Sequence, residues 1–311
     1  MTARTKAYLL LFIATLIWGV AGPVIKFTLE FLPPSVFLTY RVGLQALLGL
    51  VWLRFIKQPG WPKDPVQLGS ILLYSFLSIP IGLGLLFLGY SQTSALAVSI
   101  IDALYPMMVA VAGVIWLREH VTHREKWGMG IALLGTALVI IEPFFNRQVR
   151  HGTSLTGNLL IVASLVVGVV SVVMAKLIMR HKINPLAMTH VTFIIGFFFL
   201  LPISIFQFGL GPTVQSILAA PLSAHLGVFF MAFISGTLAY WMWLIAEKSI
   251  EIGETAMFSY LYPVITLPLA VWWLHESVTP ILIAGAAVIA IGVILAEIKS
   301  GRHQKTHPSR R

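Results

Sequence analysis

Two stretches decide the architecture of this chain: WLREHVTHREKWGMGIALLGTALVI at residues 116–140 and WLHESVTPILIAGAAVIAIGVIL at 273–295. They superpose with an offset of 157 (273 − 116), and the register holds without a gap over 94–140 and 251–297, with twelve identities. The shared positions include Tyr105/Tyr262, Pro106/Pro263, Glu119/Glu276, Thr122/Thr279, Gly128/Gly285 and Gly135/Gly292. Self-similarity at one long period means a chain built from two copies of a single unit.

Outward from these stretches, apolar runs fall at 7–27, 35–55, 67–90, 95–117, 127–146, 155–178, 185–208, 223–246, 254–274 and 280–298. A helix needs about 20 residues to cross a bilayer, so each run reads as one crossing, five per half. Five is odd, and equivalent helices in the two halves therefore cross in opposite directions. The expected fold is an all-α integral membrane protein of ten transmembrane helices arranged as two inverted five-helix repeats. The halves are 1–150 (helices 1–5) and 151–298 (helices 6–10), followed by a basic tail at 299–311. Inverted repeats are an architecture on which secondary transporters build alternating access.

Composition agrees with this. Of 311 residues 58% are hydrophobic and 10% charged, and the mean hydropathy is +0.90, far too little charge for a water-facing surface. The absence of cysteine removes disulfides, thiolate metal sites and cysteine nucleophiles. The net charge of +10 reads as orientation rather than nucleic-acid binding, because the basic residues sit in short loops and the tail. With the N-terminus inside, seventeen Lys and Arg fall on the cytoplasmic side and three (Lys26, Arg147 and Arg150) outside. That asymmetry places both termini in the cytoplasm of a multi-pass protein of the cell (inner) membrane. Segment 7–27 follows Arg4 and Lys6 much as a signal peptide would, but its likeness to a later segment marks it as the first helix.

The repeated pattern at 116–140 and 273–295, with IWGVAGPVIKF (17–27) and FLTYRVGLQALLG (37–49), resembles the EamA-type domain of the drug/metabolite transporter superfamily. That resemblance spans nearly the whole chain and both halves. It implies a ten-helix permease with a central cavity that exports amino acids or other small metabolites. The pattern departs in helix 6, where Gly168-Val169 stand at the positions of Trp18-Gly19, so no role is carried from Trp18 to the second half.

Charges within the bilayer are costly and mark function or a buried partner. Asp102 and Arg41 each enter from the outer side, at a depth of roughly 10 Å for about 1.5 Å per residue, and are candidates for a buried pair, structural or functional. A functional Asp102 would accept a proton or hold a substrate amine; its repeat equivalent is Ser259. Pro106 and Pro263 each free the carbonyl four residues back, that of Asp102 and of Ser259. Paired interruptions at equivalent places point to a central site, with Tyr105 and Tyr262 lining it. Tyr240, Trp241 and Trp243 in helix 8 add aromatic walls suited to an amphipathic solute or a cation, although three residues within four cannot all share one face.

Other residues read as structural. Lys26 and Lys176 snorkel from helix ends, His190 is a hydrogen-bond partner, and Glu119 and Glu276 support the start of the following helix. Thr122 with Glu125 forms a capping box. Gly128, Ala132, Gly135 and Thr136 with Gly285 and Gly292 form small-residue faces for close helix packing, within one molecule or in a homodimer. No Walker A loop, HExxH or GxSxG motif is present, so transport would draw on a gradient such as that of protons. No cofactor or metal is expected, and the chain is read as a transporter rather than an enzyme. The alternatives are a flippase for a lipid-linked headgroup or sugar and, further off, a membrane-embedded enzyme.

Overall fold

The computed structural model describes residues 3–55, 64–117, 123–145, 154–179, 183–247 and 258–297. Among them every regular element is helical. Helix α1 is Ala3–Thr28 and α2 is Pro34–Leu53. Helix α3, Pro65–Phe76, runs through a π-helical stretch, Leu77–Leu83, into α4, Gly84–Gln92. Then follow α5 (Ala95–Asp102), α6 (Tyr105–Leu117), α7 (His123–Phe145), α8 (Leu155–Met179) and α9 (Pro185–Phe208). Helix α10 is Leu210–Ala219; α11, Leu222–Phe229, passes through a second π-helical stretch, Phe230–Ala239, into α12, Tyr240–Glu247. A 3₁₀ turn, Phe258–Leu261, leads into α13, Tyr262–Trp272, and α14 is Pro280–Glu297.

Local chemistry sets the boundaries. The Asp64 side chain accepts from Val66 N, and that of Asn184 from Leu186 N and Ala187 N, each just before a proline at the first helical position. Thr279 caps α14, its Oγ1 accepting from Leu282 N at 3.2 Å, with Pro280 next in line. The capping box expected at Thr122 and Glu125 lies outside the described residues.

Among the described residues seven helices are long and apolar enough to cross a membrane, and three shorter apolar ones occupy Ala95–Val109, Phe258–Trp272 and Pro280–Leu295. Large apolar side chains face outward across the molecule; Phe206 is 93% exposed and Trp272 81%. Such a surface is stable only against lipid.

Two features depart from simple helical rods. The apolar run at 95–117 is broken, with Ala103 N and Leu104 N bonding to Ile100 O and Ile101 O in tight turns before Tyr105-Pro106 restarts the helix. The segment between α9 and α11, which lies between the apolar runs 185–208 and 223–246, contains α10. Gly209, at φ +83°, turns the chain at a conformation open to glycine. Beyond it Leu210, Val214 and Leu218 form an exposed stripe at spacing four, while Thr213 is buried. An amphipathic helix of this kind fits a membrane surface.

The small-residue faces are used inside the molecule. A Cβ on Gly135 would stand 2.8 Å from Gly285 O, and one on Gly292 2.6 Å from Gly128 O. Helices α7 and α14 therefore touch backbone to backbone, and this stripe is not a free face for a second copy.

Candidate functional site

The site forms where the broken helix α5–α6 meets α1, α12 and α13. Trp18 is its hub. The Trp18 ring lies 5.1 Å from Tyr240, 5.0 Å from Trp243 and 6.4 Å from Tyr262 between centroids. Its indole N–H donates to Ser235 O at 3.0 Å, inside the second π-helical stretch. A π-turn misaligns the i→i+4 ladder and exposes carbonyls, and Trp18 satisfies one of them. Residues 240 and 243 share this face because they are three apart. Trp241 points elsewhere: it is 43% exposed and stands in no ring contact among the described residues.

Tyr240 is also 43% exposed, yet it lies deep in the protein within electrostatic reach of Arg41, Tyr74, Tyr105 and Tyr262. Tyr105, Tyr262 and Asp102 are half-buried, and Asp102 is within electrostatic reach of both tyrosines. Tyr262 is hydrogen-bonded to Ser259, which is itself buried.

The two halves furnish the site unequally. Tyr262 meets the large Trp18 ring, whereas Tyr105 faces Gly168, where a Cβ would stand 3.3 Å from its ring. Glycine at the position matching Trp18 thus makes room for Tyr105. The sequence shows that departure without its reason, and no local signal marks Trp18 as a site residue.

Arg41 and Asp102 form no ion pair or hydrogen bond with each other among the described residues. Asp102 Oδ1 is enclosed without a partner, as is Arg41 Nε. The Arg41 guanidinium instead lies 5.7 Å from the Phe87 ring centroid. His190 stacks on Trp52, ring planes 9° apart.

At one end of the bundle the chain is clamped. Glu276 follows His275, whose φ of 53° turns the carboxylate inward. Its Oε1 accepts from Ala95 N at 2.7 Å and its Oε2 from Leu96 N at 3.0 Å. Glu276 thus caps α5, in the other half of the chain, rather than the helix that follows it. Lys26 does not snorkel away; its Nζ donates to Tyr90 O at 2.9 Å and Thr93 O at 2.7 Å, closing the end of α4. Burial raises the Glu276 carboxyl above its ordinary range, opposed by the N–H groups of Leu96 and Ala95 and the charge of Lys26.

The model of the EamA-like transporter family matches residues 5–141 and, a second time, 155–297. The chain belongs to the EamA-like transporter family. Over 295 residues it is 26% identical to the uncharacterized transporter YyaM of Bacillus subtilis (strain 168), covering 93% of this chain and 92% of that one. It is 26% identical to a "probable amino-acid metabolite efflux pump" of Salmonella typhimurium (strain LT2), over 94% of this chain and 95% of that one. Among solved structures one crystal structure shares the fold at a TM-score of 0.61 and 16% identity, over 94% of this chain and 97% of that one. As an EamA-family member with several apolar spans, the chain is a multi-pass membrane transporter, and its relatives are named as transporters and efflux pumps rather than enzymes.

Proposed function

We propose that this EamA-family transporter exports a small amphipathic metabolite, an amino acid or a related compound, by alternating access through the space around Trp18, Asp102, Tyr105, Tyr240 and Tyr262. The observation that carries this reading is Asp102, a carboxylate at a helix break, with one oxygen enclosed and unpartnered and with Tyr105 and Tyr262 within electrostatic reach. An unpaired carboxylate there costs several kcal/mol, roughly, unless a proton or a cationic group meets it. Asp102 therefore takes the substrate amine or a coupling proton. Relatives named as amino-acid metabolite efflux pumps and as a "probable terminal-alkyne amino-acid exporter" support the substrate class and direction.

The seven long helices and three short apolar ones support ten crossings. Two family matches of similar length support two halves, 1–150 and 151–298, and five crossings in each would set them in inverted topology. Both termini then lie in the cytoplasm and the protein in the inner membrane. Single cysteines introduced at 118–126 and 275–280 should be labelled from opposite sides of the membrane; labelling from the same side would sink the inverted arrangement.

The direct test is efflux from proteoliposomes loaded with mixed amino acids and metabolites, read by mass spectrometry. Selective release is expected under an imposed proton gradient, and Asp102→Asn should abolish its pH dependence. PH dependence that survives in Asp102→Asn removes the coupling role. No release under any gradient defeats the export reading, and headgroup flipping in the same vesicles would then be measured.

A further inference from the structure

Arg41 and Gln45 stand one turn apart on α2, so their side chains share a face. Both are almost completely buried, at 4% and 1% exposure. Arg41 Nε and both amide atoms of Gln45 are enclosed without hydrogen-bond partners. Arginine keeps its charge in any protein environment. A buried ion costs several kcal/mol, roughly, even after relaxation, whereas the single cation–π contact with Phe87 returns about 0.5–2 kcal/mol. The described residues supply no carboxylate to make up the difference. Asp102 would be the obvious partner, and it is not paired with Arg41.

The pair is closed off from solvent in this structure, beside the aromatic site. Arg41 is within electrostatic reach of Tyr240, whose ring packs on Trp18. Gln45 lies against the π-helical stretch, where a Cβ on Gly236 would collide with its amide nitrogen. The unfilled hydrogen-bonding capacity has a definite pattern. A guanidinium fork and an amide N–H donate, and an amide oxygen beside them accepts. A planar monoanion with an N–H donor next to it satisfies all three, and a carboxylate matches the guanidinium fork better than a point charge does.

We infer that Arg41 and Gln45 are the receptor for the carboxylate of the transported solute, with Gln45 Oε1 accepting from an N–H on the neighbouring carbon. This rests on the export reading above and narrows it. The solute carries a carboxylate, Arg41 and not Asp102 binds it, and Asp102 is left for a proton or a second cationic group.

The test uses the full chain in nanodiscs and reads the intrinsic fluorescence of tryptophans around the site. The probes are L-leucine, 4-methylpentanoate, which lacks the amine, and L-leucinamide, which lacks the carboxylate. Leucine should bind most tightly, 4-methylpentanoate more weakly, and leucinamide at least tenfold more weakly than leucine. Arg41→Gln should remove the preference for the carboxylate, and Arg41→Lys should restore part of it. If Arg41→Gln does not fold, Gln45→Leu serves: leucine should weaken several-fold and leucinamide less, because leucinamide loses only the contact to its amine whereas leucine loses that and a contact to its carboxylate. Leucinamide binding as tightly as leucine, no response to leucine, or a preference that survives both substitutions overturns the inference. Efflux separates the two readings. Release that ignores the carboxylate leaves a transporter without this receptor, whereas no release at all defeats the export reading whatever the probes bind.

Discussion

Glu276→Ala should lower the thermal midpoint of the detergent-solubilised protein more than any other single side-chain truncation at the clamped end. The Glu276 carboxylate is buried and satisfies both Ala95 N and Leu96 N, the first donors of α5, which α5 itself cannot pair. Leaving a buried donor unpaired costs about 1–3 kcal/mol, and two are stranded here. The loss of an anion at a helix N-terminus and near Lys26 adds to this, for a total on the order of 3 kcal/mol or more. Glu276→Gln keeps one acceptor and should fall between alanine and wild type. Lys26→Met should show coupling with Glu276→Ala in a double-mutant cycle, because the two residues act on one loop from opposite sides. Additive effects would show that they act independently, and a wild-type midpoint for Glu276→Ala would mean the carboxylate does not hold α5.

Trp18→Ala should reduce the initial efflux rate at least tenfold per incorporated protein. The substitution removes three aromatic contacts, each worth about 0.5–1.5 kcal/mol beyond burial, and frees the Ser235 carbonyl in the π-helical stretch. Trp18→Phe keeps ring area but cannot donate to Ser235, and its rate should lie between the two. A wild-type rate in Trp18→Ala, with normal incorporation, would place the substrate path elsewhere.

Much of this could be read from the chain. The repeat at 116–140 and 273–295 showed duplication, because a unit used twice keeps the same helix starts and the same small residues at close contacts. Pro106 and Pro263 marked the breaks before Tyr105 and Tyr262, because proline removes a backbone donor wherever it stands. Thr279 announced its cap by position alone. These are local rules or periodic ones, and neighbours in sequence enforce them.

Contacts between distant segments were not legible. Glu276 reads locally as an aid to α14, yet it caps α5, some 180 residues away, because the turn at His275 points it across the bundle. Lys26 reads as a snorkelling residue but finds two carbonyls at the end of α4. Arg41 and Asp102 suggest a pair by charge and depth, but their helices do not bring them together. The small-residue stripe left open whether its partner was another molecule; the approach of Gly135 to Gly285 placed the contact within the chain. The sequence by itself determined that the chain crosses a membrane, is built twice from one unit, and has breaks at its centre, since hydropathy, period and proline act along the chain. Only the tertiary structure decided which aromatic rings meet at Trp18, which end is clamped and which charges stay unpaired. Those depend on how helices far apart in sequence rotate and pack, and no local rule sets that angle.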